Sequence, residues 1–389
     1  MSEKKITNNS ANSIHLYFTG KTVTTDGRYT VYLDDELGAY NIKCRDNGSG
    51  EVFQITHATA QLVSYVFPNG GSRGLSFVSV TLDAENALLY WIEDNRLFKY
   101  CLNNRAYVTL KCGVGIGGVS AYMTISEDGS KLCLTDTNAK AFKDTDKTQH
   151  EQLAKVPIRM YENNLYTDMM LVDTASGEVV KKVEVPFWIT HVQFMPGTNE
   201  TVLFNSEGVK FPIGTEYWKR LWVTRFDGTY LPIPKQSQSR RINHENFIPQ
   251  VGHIIYHGKV LKRKRNFIKF NGLRVLSRLG FDVKKALEKF FEHFIEAIDL
   301  GGNVQFTHYV KQSVSHAISV NSDTTVFDSR DGNIYTLSNS TGEVNVLCKH
   351  GSSFSSQIAH PHPNPSQQGR YVVYCSDTDG KCGLFEVTL

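Results

Sequence analysis

The 389-residue chain lacks the features of a membrane or exported protein. It has no run of 18 or more apolar residues, so no transmembrane helix is predicted. Its basic first residues, MSEKK, are not followed by an apolar stretch, so a secretory signal is not predicted either. The seven cysteines are dispersed and include no CxxC pair, which favours reduced thiols over a disulfide framework or a zinc ribbon. We therefore expect a cytoplasmic protein without a membrane partner.

A strong net charge is also missing. The 42 Lys and Arg residues and 39 Asp and Glu residues leave a net charge of +3, so no chain-wide field would recruit nucleic acid. Hydrophobic residues make up 40% of the chain and aromatic residues 11%, which is typical of a globular protein with a large core. A nucleic-acid partner is not predicted, and any ligand has to be identified from local features.

What the chain does contain is a recurrent hairpin pattern, in which β-branched or aromatic runs flank turns rich in Asp, Gly, Asn and Pro. An example is FVSVTLDAENALLYWIEDNRLFKYCL. The pattern occurs seven times, with turns near Asp26, Asp83, Asp128, Gly197, Pro249, Asp323 and Gln367. Successive turns are roughly 45 to 70 residues apart, a period typical of four-stranded propeller blades. The sequence predicts an all-β fold, a seven-bladed β-propeller that forms a single domain over residues 1–389.

One segment departs from this pattern. Apolar residues recur at spacings of three and four, which predicts an amphipathic helix over about 273–298, inserted within blade five. These residues are Leu276, Leu279, Val283, Leu287, Phe290, Phe294 and Ile298. The preceding segment 259–269 contains the basic residues Lys259, Lys262, Arg263, Lys264, Arg265 and Lys269. This segment is either a polyanion-binding or membrane-surface element, or a solvated loop beside a helix that packs on the ring.

The most specific motif is Gln357-Ile-Ala-His360-Pro-His362-Pro. Both histidines precede proline, which drives a residue toward extended geometry. In an extended chain residues two apart point to the same side, so the two imidazoles can converge, and Gln357 can add an oxygen. Nitrogen and oxygen ligands suit a divalent ion such as zinc or manganese. The alternative is a proline-rich surface loop in which the histidines only form hydrogen bonds.

Other predicted blades also begin with histidine. His316 starts blade six and His244 starts blade five, so superposed blades would place both at the same end of the channel as the two-histidine motif. His191 in blade four has alternating neighbours typical of a core or wall residue. Arg220 either binds a carboxylate or forms a surface ion pair. No role is predicted for His253, His257, His293, His308 or His350.

In this order, these residues resemble those of oligogalacturonate lyase, a family of cytoplasmic manganese-dependent seven-bladed propeller enzymes. The resemblance implies Mn²⁺ or another divalent ion as cofactor, with the ligands His316, Gln357, His360 and His362. It also implies that His244 is the catalytic base and Arg220 its partner. The implied reaction is a metal-assisted β-elimination that converts short oligogalacturonides into 4,5-unsaturated uronides.

Two other functions are compatible with the sequence. The enzyme could be a lyase for a different uronide. Alternatively, the chain could be a non-catalytic propeller scaffold that binds a protein or polyanion through residues 259–269 and the inserted helix, without an ion. A propeller by itself implies no activity, so bound metal is the feature that separates the lyases from the scaffold.

Overall fold

The strands of the protein form seven sheets of four strands each in a computed structural model. The structure describes residues 3–8, 10–58, 75, 77–93, 96–108, 110, 122–142, 149–207, 218–262, 267–279, 281, 283–366 and 368–389. All strand pairs within the sheets are antiparallel, as expected when each blade consists of consecutive hairpins. The predicted seven-bladed propeller is confirmed.

The strands follow one another through the ring in chain order. The first strand, β1, spans Glu3–Lys5 and belongs to blade seven. Blades one and two consist of β2 Ser13–His15, β3 Tyr29–Asp34, β4 Asn41–Asp46, β5 Val52–Gln54, β6 Val80–Asp83, β7 Leu88–Glu93, β8 Arg96–Cys101 and β9 Ala106–Val108. Blades three and four consist of β10 Met123–Ile125, β11 Lys131–Thr137, β12 Thr167–Asp173, β13 Val179–Val185, β14 Val192–Phe194, β15 Val202–Asn205, β16 Leu221–Thr224 and β17 Tyr230–Pro232. Blade five consists of β18 Arg240–Phe247, β19 Ile254–Leu261, β20 Phe291–Ile298 and β21 Val304–Val310. Blades six and seven add β22 Val314–Ser319, β23 Thr324–Ser329, β24 Asn333–Ser338, β25 Val344–Lys349, β26 Asn364–Pro365, β27 Tyr371–Ser376 and β28 Gly383–Thr388.

The two ends of the chain close the ring together. Strand β1 pairs with β28, with Glu3 opposite Val387 and Lys5 opposite Phe385. Blade seven therefore combines three strands from the end of the sequence with one from its beginning. This arrangement ties blade one to blade seven, so the ring keeps only short outer edges.

The buried residues lie between neighbouring blades. In β3 all six residues are buried, as expected for a strand that is covered on both faces. Large side chains fill the space between blades, among them the fully buried Trp91, Trp188 and Phe204. The first strand of each blade lines the central channel. We call the end where these strands begin the upper end, and the opposite end the lower end.

The described helices lie in connections between strands. They are the 3-10 helices Ala139–Phe142 and Gln357–Ala359 and the α-helices α1 Gln149–Glu162, α2 Phe267–Arg278 and α3 Lys284–Glu288. Helix α1 connects the second and third strands of blade three, while α2 and α3 connect those of blade five. None of the described helices is long and apolar enough to cross a membrane.

The prediction of one helix over 273–298 is correct in its location in blade five and wrong in its extent. Residues 291–298 form strand β20, which pairs along its whole length with β19. The apolar spacing from Phe290 through Phe294 to Ile298 is four residues. This spacing matches a helical stripe, but an even spacing also keeps side chains on one face of a strand. Pairing with β19 and β21 therefore determines the structure here.

The basic segment is described only in part, because Arg263, Lys264 and Arg265 lie outside the described residues. The Lys259 ammonium forms an ion pair of 2.9 Å with the Glu288 carboxylate. Lys262 donates a hydrogen bond of 3.0 Å to the backbone carbonyl of Lys289. These two lysines thus contact the end of the helical insertion. Binding of a polyanion or membrane surface by this segment stays a prediction.

Candidate metal centre and catalytic site

Three of the predicted ligands come together at the upper end of the channel. His316 lies in β22, and His360 and His362 lie in the connection that leads to β26. One ring nitrogen of each histidine lies within 4.8 Å of those of the other two. The imidazole rings of His316 and His362 are 4.1 Å apart between centroids, and both side chains are buried. His316 therefore shares one site with histidines 44 and 46 positions further along the chain, because blades six and seven are neighbours.

The backbone of the two-histidine motif differs in part from the extended geometry that the prolines predict. His360 is extended, with φ −80° and ψ 134°. His362 instead has a φ of 44°, in the left-handed region. Such backbone costs about 1–3 kcal/mol in a non-glycine residue and persists only where surrounding contacts enforce it. Here a contact between blade one and blade seven holds the loop in place, because the His15 imidazole lies 3.2 Å from the carbonyl of Pro361.

The donor set fits a divalent cation. The side-chain amide of Gln357 lies 3.3 Å from Nε2 of His362, so the fourth predicted ligand reaches the same place. Nδ1 of His360 is buried and has no hydrogen-bond partner among the described residues, although a buried polar atom normally has one. Burial and the neighbouring His316 lower the pKa of His360 to about 4, which keeps this imidazole neutral at pH 7. A histidine must be neutral to bind a metal ion.

Asp328 orients the His316 ligand. Both of its carboxylate oxygens lie 3.1 Å from Nδ1 of His316, and one of them also accepts the backbone N–H of His316 at 2.7 Å. The carboxylate is fully buried. Burial alone would raise the pKa of Asp328. The electrostatic interaction and the hydrogen bonds with His316 outweigh burial and lower this pKa, so the carboxyl group is ionised. A hydrogen bond at Nδ1 directs the lone pair of Nε2 toward the other two histidines.

We expect Asp328→Asn to weaken metal binding by about 10- to 100-fold, because partners of this type set the tautomer and basicity of a ligating histidine. Calorimetric titration of metal-free protein with Mn²⁺ measures the effect. Asp331→Asn, an exposed carboxyl group in the following turn, is the matched control. Equal affinities in the two variants would contradict the orienting role of Asp328.

His244 lies beside this cluster. Its ring centroid is 4.4 Å from that of His316, and it has a positive φ of 48° at an irregularity in the pairing of β18 with β19. Its Nδ1 lies 2.9 Å from Nε2 of His257, whose other ring nitrogen bonds to the backbone of Ser315. If His257 donates through its other ring nitrogen to the backbone of Ser315, its Nε2 is the acceptor for an N–H at Nδ1 of His244. The lone pair on Nε2 of His244 is then available to act as a base.

No role was predicted for His257, yet the structure places it directly against His244. The signal that could have found it is the hairpin register, since His257 in β19 lies opposite Asn243 in β18. Burial is the main cause that lowers the pKa of His244 well below its ordinary value, and the neighbouring imidazoles of His316 and His257 add to it, because a second proton among these rings would be repelled. His244 is therefore neutral, the form that a general base requires.

Arg220 belongs to a buried network rather than to a surface ion pair. Its guanidinium bonds to the Glu245 carboxylate at 2.8 Å and the Glu207 carboxylate at 3.2 Å. Glu245 also bonds to Nδ1 of His191 at 2.7 Å, and the Tyr17 hydroxyl lies 3.0 Å from the other ring nitrogen of His191. His191 is thus a buried wall residue, as expected, and its ring lies 5.6 Å from that of His244. The network fixes a cationic side chain beside the candidate base.

Phe18 forms the floor of the site. Its ring centroid lies 5.4 Å from those of His191 and His244, 5.6 Å from that of His316 and 6.0 Å from that of His362. The side chain is only 1% exposed, so it closes the channel below the histidines. Nothing in the local sequence around Phe18 indicates this position, because four other blades supply the residues it contacts.

The chain is similar to known proteins along its length. A model of the oligogalacturonate lyase family matches residues 6–389. An oligogalacturonate lyase of Dickeya dadantii is 21% identical over 381 residues, covering 95% of this chain and 88% of that protein. An oligogalacturonide lyase of Pectobacterium atrosepticum is 22% identical over 231 residues, which cover 58% of this chain and only 56% of that protein.

Two solved structures share the fold. An oligogalacturonate lyase in complex with manganese has a TM-score of 0.74 at 18% identity, with 100% of this chain and 93% of that chain covered. An oligogalacturonate lyase from Vibrio parahaemolyticus has a TM-score of 0.73 at 18% identity, with 99% and 93% covered. With its sequence matched to the family model over nearly its full length, this chain belongs to the oligogalacturonate lyase family.

Proposed function

We propose that this protein cleaves short oligogalacturonides by metal-assisted β-elimination, giving 4,5-unsaturated uronides. Membership of the oligogalacturonate lyase family supplies the reaction and substrate class. The observation that carries the mechanism is that the neutral His244 lies beside the three converging histidines, with its ring centroid 4.4 Å from that of His316. A candidate base and a candidate ion site therefore lie close enough to act on one sugar ring.

The chemistry requires removal of a proton from C5 of a uronate. That proton is weakly acidic because the adjacent carboxylate is already negative. We propose His316, Gln357, His360 and His362 as ligands of manganese or another divalent ion, in line with the manganese in one similar structure. When bound, such an ion supplies positive charge that stabilises the enolate-like charge that develops on the substrate carboxylate.

The chain's own residues perform the proton transfer in this proposal. Nε2 of His244 accepts the C5 proton, while His257 holds Nδ1 and so fixes the ring orientation. The bond to the leaving O4 then breaks, and O4 departs with a proton from solvent. Arg220, held by Glu245 and Glu207, adds fixed positive charge on the same side as His191. A positioned general base of this kind contributes about 10²- to 10⁴-fold to the rate.

The test follows the absorbance of the conjugated product with digalacturonate and trigalacturonate as substrates. Metal-stripped protein is expected to give a flat trace, and restored Mn²⁺ a rising one. A flat trace with metal bound would assign the site to a different uronide. A flat trace without any metal binding would favour the non-catalytic scaffold.

The pH dependence of kcat/KM follows from the lowered pKa of His244. Because the neutral imidazole is the active form, activity is expected to persist as pH falls through 6.5, the ordinary histidine value, and to decline only well below it. The profile should be recorded with saturating metal, and bound metal should be verified at each pH. An acid limb centred at or above 6.5 would argue against His244 as the base.

We also propose that the protein acts in the cytoplasm. Six cysteines in the described part of the chain are free thiols, namely Cys44, Cys101, Cys133, Cys348, Cys375 and Cys382. Reduced thiols are the usual state in that compartment. Fractionation of the producing cells with the lyase assay as readout tests this assignment, and activity confined to an exported fraction would contradict it.

A further inference from the structure

The central channel contains a second chamber at its lower end. All seven blades line it, and its walls include Lys21, Thr81, Thr124, Phe194, Asn246 and Phe247. Its volume is about 230 Å³, below the 300–1,000 Å³ that is usual for drug-sized ligands. Phe18 lines this chamber and also contacts the histidines above, so its ring separates the two compartments. The chamber is therefore distinct from the metal centre.

The polar wall of the chamber contains a buried donor without a partner. Asn246 is 4% exposed, and its Nδ2 forms no hydrogen bond with any other described residue. Leaving such a group unsatisfied destabilises the folded protein. An acceptor oxygen in the chamber would remove this cost. The neighbouring Gln193 does not supply one, since its amide bonds instead to the Glu245 carbonyl and the Phe247 N–H.

Lys21 contributes a positive charge to the same space. Its half-buried side chain forms no hydrogen bond or ion pair within the described part of the chain. Burial lowers the pKa of this lysine, and the negative charge of Glu127 opposes that effect. The hydroxyls of Thr81 and Thr124 add further donors on the same wall. A group with several acceptor oxygens and one negative charge matches these donors.

The remaining walls restrict the ligand further. Phe194 and Phe247 supply apolar surface, which suits the C–H faces of a sugar ring. The exposed carboxylates of Glu85 and Glu127 also border the chamber, so a polyanionic chain would be repelled there while sugar hydroxyls could donate to them. We propose that this chamber binds a single small sugar carboxylate, a monosaccharide rather than an oligomer.

Calorimetric titration of metal-free protein with D-galacturonate tests this site. We expect one molecule bound per chain, and binding that is about 10- to 100-fold weaker in Lys21→Met, because this substitution removes a charge-assisted hydrogen bond. Thr81→Val should weaken binding to a smaller extent. The matched control is Lys181→Met, an exposed lysine on an outer strand that pairs with Glu200. Uncharged galactose should bind much more weakly than galacturonate.

The outcomes also separate this site from the metal centre. Binding of galacturonate should persist in His360→Ala, and Lys21→Met should retain lyase turnover within about twofold. Absence of binding to the wild-type protein, equal binding by Lys21→Met, or loss of binding in His360→Ala would each overturn the proposal. If the wild-type protein showed no lyase turnover but bound galacturonate in a Lys21-dependent manner, only the proposed function would be refuted.

Discussion

His244→Ala is expected to lower turnover of digalacturonate by about 10²- to 10⁴-fold, the usual contribution of a general base. Bound metal should remain at the wild-type level. The reason is that Nδ1 of His244 is bonded to His257, and the three converging nitrogens come from His316, His360 and His362. Removal of His244 thus leaves the proposed ligand set complete. Product absorbance measures turnover, and elemental analysis measures metal content.

His253→Ala is the matched control for this experiment. His253 is half-buried in the same blade, near the turn between β18 and β19, and makes no ring contact with the cluster. It should retain both turnover and metal. Loss of metal from His244→Ala would show that base and ligand roles are not separate, and near-normal turnover would exclude His244 as the base.

Much of the architecture can be predicted from local sequence. A hairpin is determined by residues close together in the chain, so seven repeats of alternating runs and turns predict seven blades. The motif from Gln357 to His362 is equally local. Its convergence with His316 follows once equivalent positions in neighbouring blades are superposed, and the structure brings these histidines together as expected.

Other parts of the site depend on packing between blades, which a single sequence does not reveal. Phe18 reaches the histidines of four other blades because its side chain projects into the channel. Glu245 bonds to both Arg220 and His191 across the boundary between blades four and five. The spacing of apolar residues is also ambiguous in blade five, because the four-residue interval from Phe294 to Ile298 fits either a helix or a strand.

His360→Ala is expected to abolish both metal binding and turnover. His360 has a buried ring nitrogen without a hydrogen-bond partner in the described part of the chain, so its side chain is available to an ion and to little else. Its removal leaves two of the three converging nitrogens, and a divalent site with too few protein ligands loses most of its affinity. Elemental analysis and the absorbance assay measure the two losses.

Thermal unfolding provides an independent measure of the same loss. A ligand that binds only the folded state stabilises it by about 2.7 kcal/mol at one hundred times its Kd, so added Mn²⁺ should raise the Tm of the wild-type protein. The Tm of His360→Ala should not respond. His308→Ala removes a half-buried histidine on the outer strand β21 that bonds to the Asn339 carbonyl, and this variant should keep the response.

If His360→Ala kept metal, the Tm response and turnover, then His360 would be no ligand. If it lost metal but kept turnover, the elimination would not depend on the ion, and the proposed stabilisation of the substrate carboxylate would have to come from Arg220.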